Sequence, residues 1–330
     1  MESRKPRREF LRGMGAWAAA ASIPEGVRSA REPLRVNGMN SPFRIAVIND
    51  EVGQDFGRSC EVIAREFGLE WIELRGMWNK NLLKLDAKEI AEARRVLEKY
   101  KLRVTDIASP LFKVDWPGAP KSQFSPKGAQ FNADFTYEQQ EEVLERSLEL
   151  AKAFQTDRVR CFDFWRLDDQ APYRAAMNEK LLAAAGVAGK KGVTLLLENE
   201  PACNTGTAAE AVKVLAEVKS ASLMLNWDPG NAASRGEQAY PDGYSLLPKE
   251  RIGHCHCKDV AKKPEGHSYD WAAMGRGLID WTGQFAALKR DGYRFAVSLE
   301  THWRGASTPE ESTRQSWAGM KEELQKAGAL

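Results

Sequence analysis

The sequence predicts an α/β chain folded as a (β/α)8 TIM barrel, and three observations carry that expectation. Short apolar runs rich in branched residues alternate with longer stretches of helical periodicity, the pattern of βα units around a parallel sheet. Eight such runs can be read, which is the strand count of a closed barrel. The chain has 330 residues, which suits one barrel of about 250 residues plus an added segment better than two full domains.

In chain order, the strand candidates cover residues 43–48, 71–74, 103–108, 158–162, 193–198, 223–227, 252–257 and 295–300. Helix candidates lie between and after them at 59–67, 87–100, 137–154, 173–190, 207–219, 281–290 and 309–327. Several end as helices do, on a glycine or a basic last turn: Phe67-Gly68, Lys191-Gly192 and Asp291-Gly292. An open doubly wound sheet is the structural rival. It would place a glycine-rich phosphate turn after the first strand, where Asn49-Asp50-Glu51-Val52-Gly53 stands instead. Residues 112–134, with Pro117, Pro120 and Pro126, read as a long loop after the third strand, at the barrel end where loops cover active sites. No internal repeat or low-complexity linker divides the body, so two segments are expected: a leader and linker over 1–41 and a barrel over 42–330.

Hydrophobic residues make up 43% and charged residues 28%, which is globular composition with ample apolar material for a large core. The net charge of +2 is unevenly spread: the first 41 residues hold eight basic and four acidic residues, leaving the body at −2. A near-neutral body argues against a broad nucleic-acid face, because such binding rests on neutralising backbone phosphates. The leader itself carries Arg7-Arg8-Glu9-Phe10-Leu11-Arg12, then the mildly apolar run from Gly13 to Ala21, too short to span a bilayer. This resembles a twin-arginine export signal, which implies the export machinery as a partner and a periplasmic destination, membrane-tethered if the signal is retained. Cleavage near Ala20 to Ser22 fits better than at Ala30, where Arg28 spoils the small-x-small pattern. No other stretch reaches 18 uninterrupted apolar residues, so no stable transmembrane span is expected in the body. The five cysteines, Cys60, Cys161, Cys203, Cys255 and Cys257, are odd in number and mostly inside apolar runs, which reads as buried thiols; Cys255-x-Cys257 has no second pair to complete a metal site.

The chemistry is concentrated at strand ends. In four consecutive late units an apolar run leads to a metal-binding residue type: Glu198, Asp228, His256 and Glu300, spaced 30, 28 and 44 residues apart, each gap compatible with one βα unit. A carboxylate after a strand is ordinarily an N-cap or a surface charge. Four in register, all at carboxyl ends, would instead converge on the barrel mouth. Three carboxylates and an imidazole suit an oxygen-preferring divalent ion, Mn2+ first, with Mg2+, Co2+ or Zn2+ as alternatives.

Leu197-Glu198-Asn199, Asp228-Pro229-Gly230-Asn231, His256-Cys257-Lys258-Asp259 and Leu299-Glu300-Thr301 resemble the L-E-N, D-P-G-H, H-x-K-D and S-L-E signatures of the xylose isomerase-like sugar isomerase/epimerase superfamily. The resemblance covers the body from about Phe43 onward and is strongest after Val193. It implies that Glu198 and Glu300 ligate one divalent metal and exchange the substrate proton, with Asp228 and His256 completing the site. Two departures bear on the substrate: Asn231 replaces the motif's substrate-contacting histidine, and Glu200 stands where many members have a histidine.

The reaction expected is proton transfer beside a chelated sugar carbonyl through an enediolate, isomerisation or epimerisation being set by where the proton returns. Lys258, two residues beyond His256, could neutralise an oxyanion or form a rim salt bridge; His254 reads as a hydrogen-bonded core histidine; His302 reads as a second contact beside Glu300. Among ten tryptophans, Trp78, Trp116, Trp165 and Trp303 fall past strand ends or in the insert, and Trp165 and Trp303 are candidates to stack on a sugar. The alternatives are an exported lyase or hydrolase acting on a keto sugar or glycoside, and a non-catalytic carbohydrate-binding barrel. A three-zinc nuclease of the endonuclease IV type is disfavoured, since the chain has only His254, His256, His267 and His302.

Overall fold

The computed structural model describes residues 34–36, 39–127, 135–264 and 268–330. All belong to one compact unit, Pro33–Leu330. The predicted export signal with Arg7 and Arg8, part of the predicted insert and His267 lie outside the described residues.

The body alternates β1 (Arg44–Val47), α1 (Phe56–Glu61), β2 (Trp71–Leu74), α2 (Ala87–Tyr100), β3 (Arg103–Leu111), α3 (Gln140–Ala153), β4 (Arg158–Cys161) and α4 (Arg174–Lys190). It continues with β5 (Thr194–Glu198), α5 (Ala208–Glu217), β6 (Leu223–Trp227), α6 (Pro229–Ser234), β7 (Ile252–Cys257), α7 (Trp281–Arg290), β8 (Ala296–Leu299) and α8 (Pro309–Lys326). The eight strands pair in parallel in the order β1-β8-β7-β6-β5-β4-β3-β2. An isolated parallel bridge between Ile48 and Glu73 draws β1 to β2, so the sheet curls into a nearly closed barrel. Before the barrel, Leu34–Val36 pairs antiparallel with Met39–Ser41.

Each predicted strand and helix is present, with ends shifted by a few residues. The main differences have local causes. β3 runs on to Leu111, with a register shift against β4 between Ile107 and Leu111. The helix expected at 59–67 starts earlier, because Asp55 caps the amide of Arg58. The six-residue α6 is too short to show a helical period and was not anticipated. Helix α2 is closed by a reciprocal capping box between Asp86 and Glu89. No helix among the described residues is long and apolar enough to cross a membrane.

Strand alternation sorts the side chains into two environments. On β7, Cys255 and Cys257 join the apolar layer between barrel and helices, while His254 and His256 meet the charged groups of the interior. All five cysteines are free and buried. Against β6, β7 carries one extra residue: Leu225 is opposite Ile252, but Asn226 is opposite His254. Gly253 occupies this bulge, where a Cβ would lie 2.8 Å from Leu196 Cδ2 and 2.9 Å from Met224 Cβ. Any side chain would push the strand outward, so the bulge that aims both histidines inward depends on this glycine. Gly253→Ala is therefore expected to cost about 1–3 kcal/mol. Urea denaturation measures this, and unchanged stability would show that the strand accommodates a side chain there.

Candidate metal centre and active site

Four strands deliver four donor groups to one point. Glu198 ends β5, Asp228 and Glu300 directly follow β6 and β8, and His256 stands near the end of β7. Donor atoms of these four residues all lie within 4.8 Å of one another, and all four residues are buried. His256 Nδ1 is 3.2 Å from Glu300 Oε2, 3.3 Å from Glu198 Oε1 and 3.7 Å from Asp228 Oδ2.

The backbone of the motifs holds these groups in place. Asn199 grips Asp228 on both sides: its Nδ2 donates to the Asp228 carbonyl and its Oδ1 accepts from the Asp228 amide, each at 2.8 Å. Asp228 is at once a cap and a site residue, for Oδ1 accepts from the Asn231 amide at 2.8 Å while Oδ2 faces the centre. Gly230 is required for close approach: a Cβ there would fall 2.6 Å from both Lys258 Cγ and the Lys258 carbonyl oxygen. Asp259 accepts from the amides of Val260, Gly275, Gly277 and Ile279, and so shapes the loop that follows β7.

Cations surround the carboxylates. The Lys258 ammonium is 2.9 Å from Asp228 Oδ2 and also bonds to Glu300. Arg160 Nη1 is 3.1 Å from Glu198 Oε2. Arg75 spans Asp50 at 2.9 Å, and Glu51 and Glu300 at 2.6 Å each. Burial tends to raise the Glu198 carboxyl, but the His256 ring and Arg160 outweigh it and hold it at about 2. Glu300 is also held well below the usual carboxylate range, burial being overcome by Lys258, His302 and His256. Burial prevails at Asp228, which is raised despite Lys258. His256 moves well above its ordinary value, because Glu73, Glu300 and Glu198 outweigh its burial.

The donor set fits a divalent cation. Glu198 Oε2, Asp228 Oδ2 and His256 Nδ1 are buried and have no hydrogen bond, although Arg160 and Lys258 lie close enough for ion pairing. Groups that would repel one another unprotonated are here gathered around a single point, as ligation requires.

A cavity of about 320 Å3 reaches Glu198 and Glu300 and is lined also by Glu51, Arg75, Lys113, Arg160, Glu200, His302 and Arg304. The structure thus brings Glu200 and His302 to the cavity wall, Glu200 paired with Lys113 at 3.0 Å. Asn231 is buried and outside the cavity lining, donating to Glu198 Oε1 at 3.1 Å and to the Asn199 carbonyl at 2.9 Å. Lys258 is likewise buried, against the carboxylates. Trp165 and Trp303 line other cavities: Trp165 one of about 300 Å3 beside Trp116 and Tyr137, and Trp303 one of about 590 Å3 beside Trp271. Trp78 packs edge-on against Phe56. His254 is a hydrogen-bonded interior histidine, with Nε2 3.2 Å from Glu73 Oε2. Glu51, Glu73, Arg75, Lys113, Arg160 and Arg304 were not anticipated. For Glu73 and Arg160 a signal existed: each is a charge within an apolar strand, on the side-chain face that alternation turns inward.

Fold and site together define the class: the chain belongs to the xylose isomerase-like TIM barrel family, whose model matches residues 62–323. No curated protein matches it. Among solved structures, it is similar to the IolI protein with a bound zinc atom, at 16% identity and TM-score 0.68 over 87% of this chain and 100% of that one. It is similar to D-psicose 3-epimerase in the presence of D-fructose, at 18% identity and TM-score 0.62 over 86% and 99%. It is also similar to AsbF of Bacillus anthracis, a probable 3-DHS dehydratase, at 18% identity and TM-score 0.64 over 84% and 97%. The chain spans 45% of a fusion protein that joins such a barrel to 4-hydroxyphenylpyruvate dioxygenase. At these identities the likeness is one of fold.

Acid should loosen the cavity wall. Glu51 is held at about 2 in the folded protein, burial being outweighed by His302, Arg75 and Arg304, against an ordinary value of 4.5. Its depressed value contributes stability that is present above pH 4.5 and lost as pH falls toward 2. Thermal unfolding between pH 5 and 2 should therefore show a shallower decline for Glu51→Gln than for the unaltered chain; parallel declines would remove Glu51 from this role.

Proposed function

We propose that this chain is a divalent-metal-dependent sugar isomerase or epimerase that moves a proton beside a sugar carbonyl through an enediolate. The observation that carries this reading is the meeting of Glu198, Asp228, His256 and Glu300 at one point, with Glu198 and Glu300 lining a cavity of about 320 Å3. Glu198, Asp228, His256 and Glu300 would hold the ion, with Mn2+ the first choice. When bound, it supplies Lewis-acid stabilisation of negative charge developing on the substrate oxygens.

The chain's own residues do the rest. Glu198, ionised at neutral pH and with Oε2 free of hydrogen bonds, takes the carbon-bound proton. For epimerisation Glu300 takes a proton from water and delivers it to the opposite face, while Glu198 gives its own proton up to water, which restores both carboxylates. Glu300 is gripped by Arg75 and Lys258, which fix its orientation and offset its charge. Glu200, Lys113, His302 and Arg304 supply polar contacts for sugar hydroxyls along the walls.

Dehydration is the second reading, favoured by the likeness to the probable 3-DHS dehydratase, since loss of water can begin with the same proton removal. Incubating the manganese-loaded protein with free ketoses and keto-glycosides in D2O separates the two. Deuterium in an isomerised or epimerised product supports the first reading, and an unsaturated product supports the second. Glu198→Gln and Glu300→Gln should each lower kcat by about 10^3-fold. Full turnover in either variant overturns its acid/base role, and lack of stoichiometric divalent ion in the purified protein overturns the centre.

We also propose export by the twin-arginine route, on the strength of Arg7-Arg8 and the run that follows. Replacing both arginines by lysine should leave the protein in the cytoplasmic fraction; unchanged fractionation would refute this.

A further inference from the structure

One buried carboxylate binds the inner faces of two histidines. Glu73 lies on β2 with no exposed surface, and its Oε1 is 3.0 Å from His256 Nε2 while its Oε2 is 3.2 Å from His254 Nε2. The two rings meet edge to face at 5.3 Å. Carboxylate oxygens only accept hydrogen bonds, so both Nε2 atoms carry the proton. In the neutral ring that ligation requires, the opposite nitrogen is then the bare lone pair. For His256 that nitrogen is Nδ1, the atom that has no hydrogen bond and stands 3.2–3.7 Å from Glu300, Glu198 and Asp228.

Asn226 tests this assignment. Its Nδ2 lies 3.1 Å from His256 Nε2, while its buried Oδ1 has no partner. An amide nitrogen facing a protonated ring nitrogen sets donor against donor. Turning the amide end for end lets the oxygen accept from Nε2 beside Glu73, which removes the clash and satisfies the unpartnered atom. The other tautomer would leave Glu73 Oε1 against a bare nitrogen at 3.0 Å, acceptor against acceptor, in a site closed to water.

Resting on the metal-centre reading above, we propose that Glu73 is a positioning residue for the metal: it fixes His256 as the Nε2–H tautomer and so presents Nδ1 to the ion. His254 holds the second oxygen of Glu73 and stops the carboxylate from rotating. The Glu73–His256 pair is thus a carboxylate–histidine–metal arrangement built across the barrel, from β2 to β7.

The test uses the full chain. Calorimetric titration with Mn2+ and the visible spectrum of the Co2+ form are compared between the unaltered protein and Glu73→Gln, which keeps the volume but faces one histidine with a donor. The variant should bind Mn2+ about ten- to a hundredfold more weakly and shift the Co2+ band. Unchanged affinity together with an unchanged band would overturn the proposal. Nitrogen-15 spectra of the zinc-loaded unaltered protein decide the matter even if the variant fails to fold: Nδ1 bound and Nε2 protonated supports it, and Nε2 bound overturns it. Absence of any ion binding by the unaltered chain refutes the metal centre instead, a result separate from normal binding by Glu73→Gln.

Discussion

Everything at the carboxyl end of this barrel depends on compensating buried negative charge. Glu51, Glu73, Glu198, Asp228 and Glu300 are all buried, and isolated carboxylates in such surroundings would be too costly to keep ionised. Each is matched by a cation or imidazole arriving from another strand or loop: Arg75 and Arg304 for Glu51, both histidines for Glu73, Arg160 for Glu198, and Lys258 for Asp228 and Glu300. Removing one partner from such a network strands the other. The network therefore ties the register of β2, β4, β5, β6, β7 and β8 to the site.

The same constraint explains why the motif residues cluster. The asparagine after Glu198 clamps the Asp228 backbone, Asp228 caps α6, and the glycine two residues on makes room for Lys258. Each motif places one charged group and also braces its neighbour. The candidate metal centre and the packing share residues here, and a substitution at Asn199 or Gly230 would disturb the site without removing a single donor.

The fold was legible because burial of both sheet faces writes strands as apolar runs, and helices as the stretches between. The four donors were legible for a related reason: a polar residue ending an apolar run stands out. Glu73 and Arg160 occupy strand interiors, where alternation alone distinguishes a residue inside the barrel from one facing the helices. Reading Arg158-Val-Arg160-Cys or Trp71-Ile-Glu73-Leu as inward charges needs the closed barrel in view, because only closure supplies their partners. The loop residues Lys113 and Arg304 were harder still, since nothing local to Phe112-Lys113-Val114 places it opposite Glu200.

Asn231 shows how a departure from the motif redistributes recognition. Its side-chain nitrogen is spent on Glu198 and on the carbonyl of Asn199, and the residue is buried outside the cavity lining. Besides Arg160 of β4, polar groups on the cavity wall come from loops: Lys113 after β3, Glu200 after β5, and His302 and Arg304 after β8. Loops tolerate change far better than the strands that carry the donors. In this chain the strand ends accordingly carry the donor groups, and the loops carry much of the polar wall.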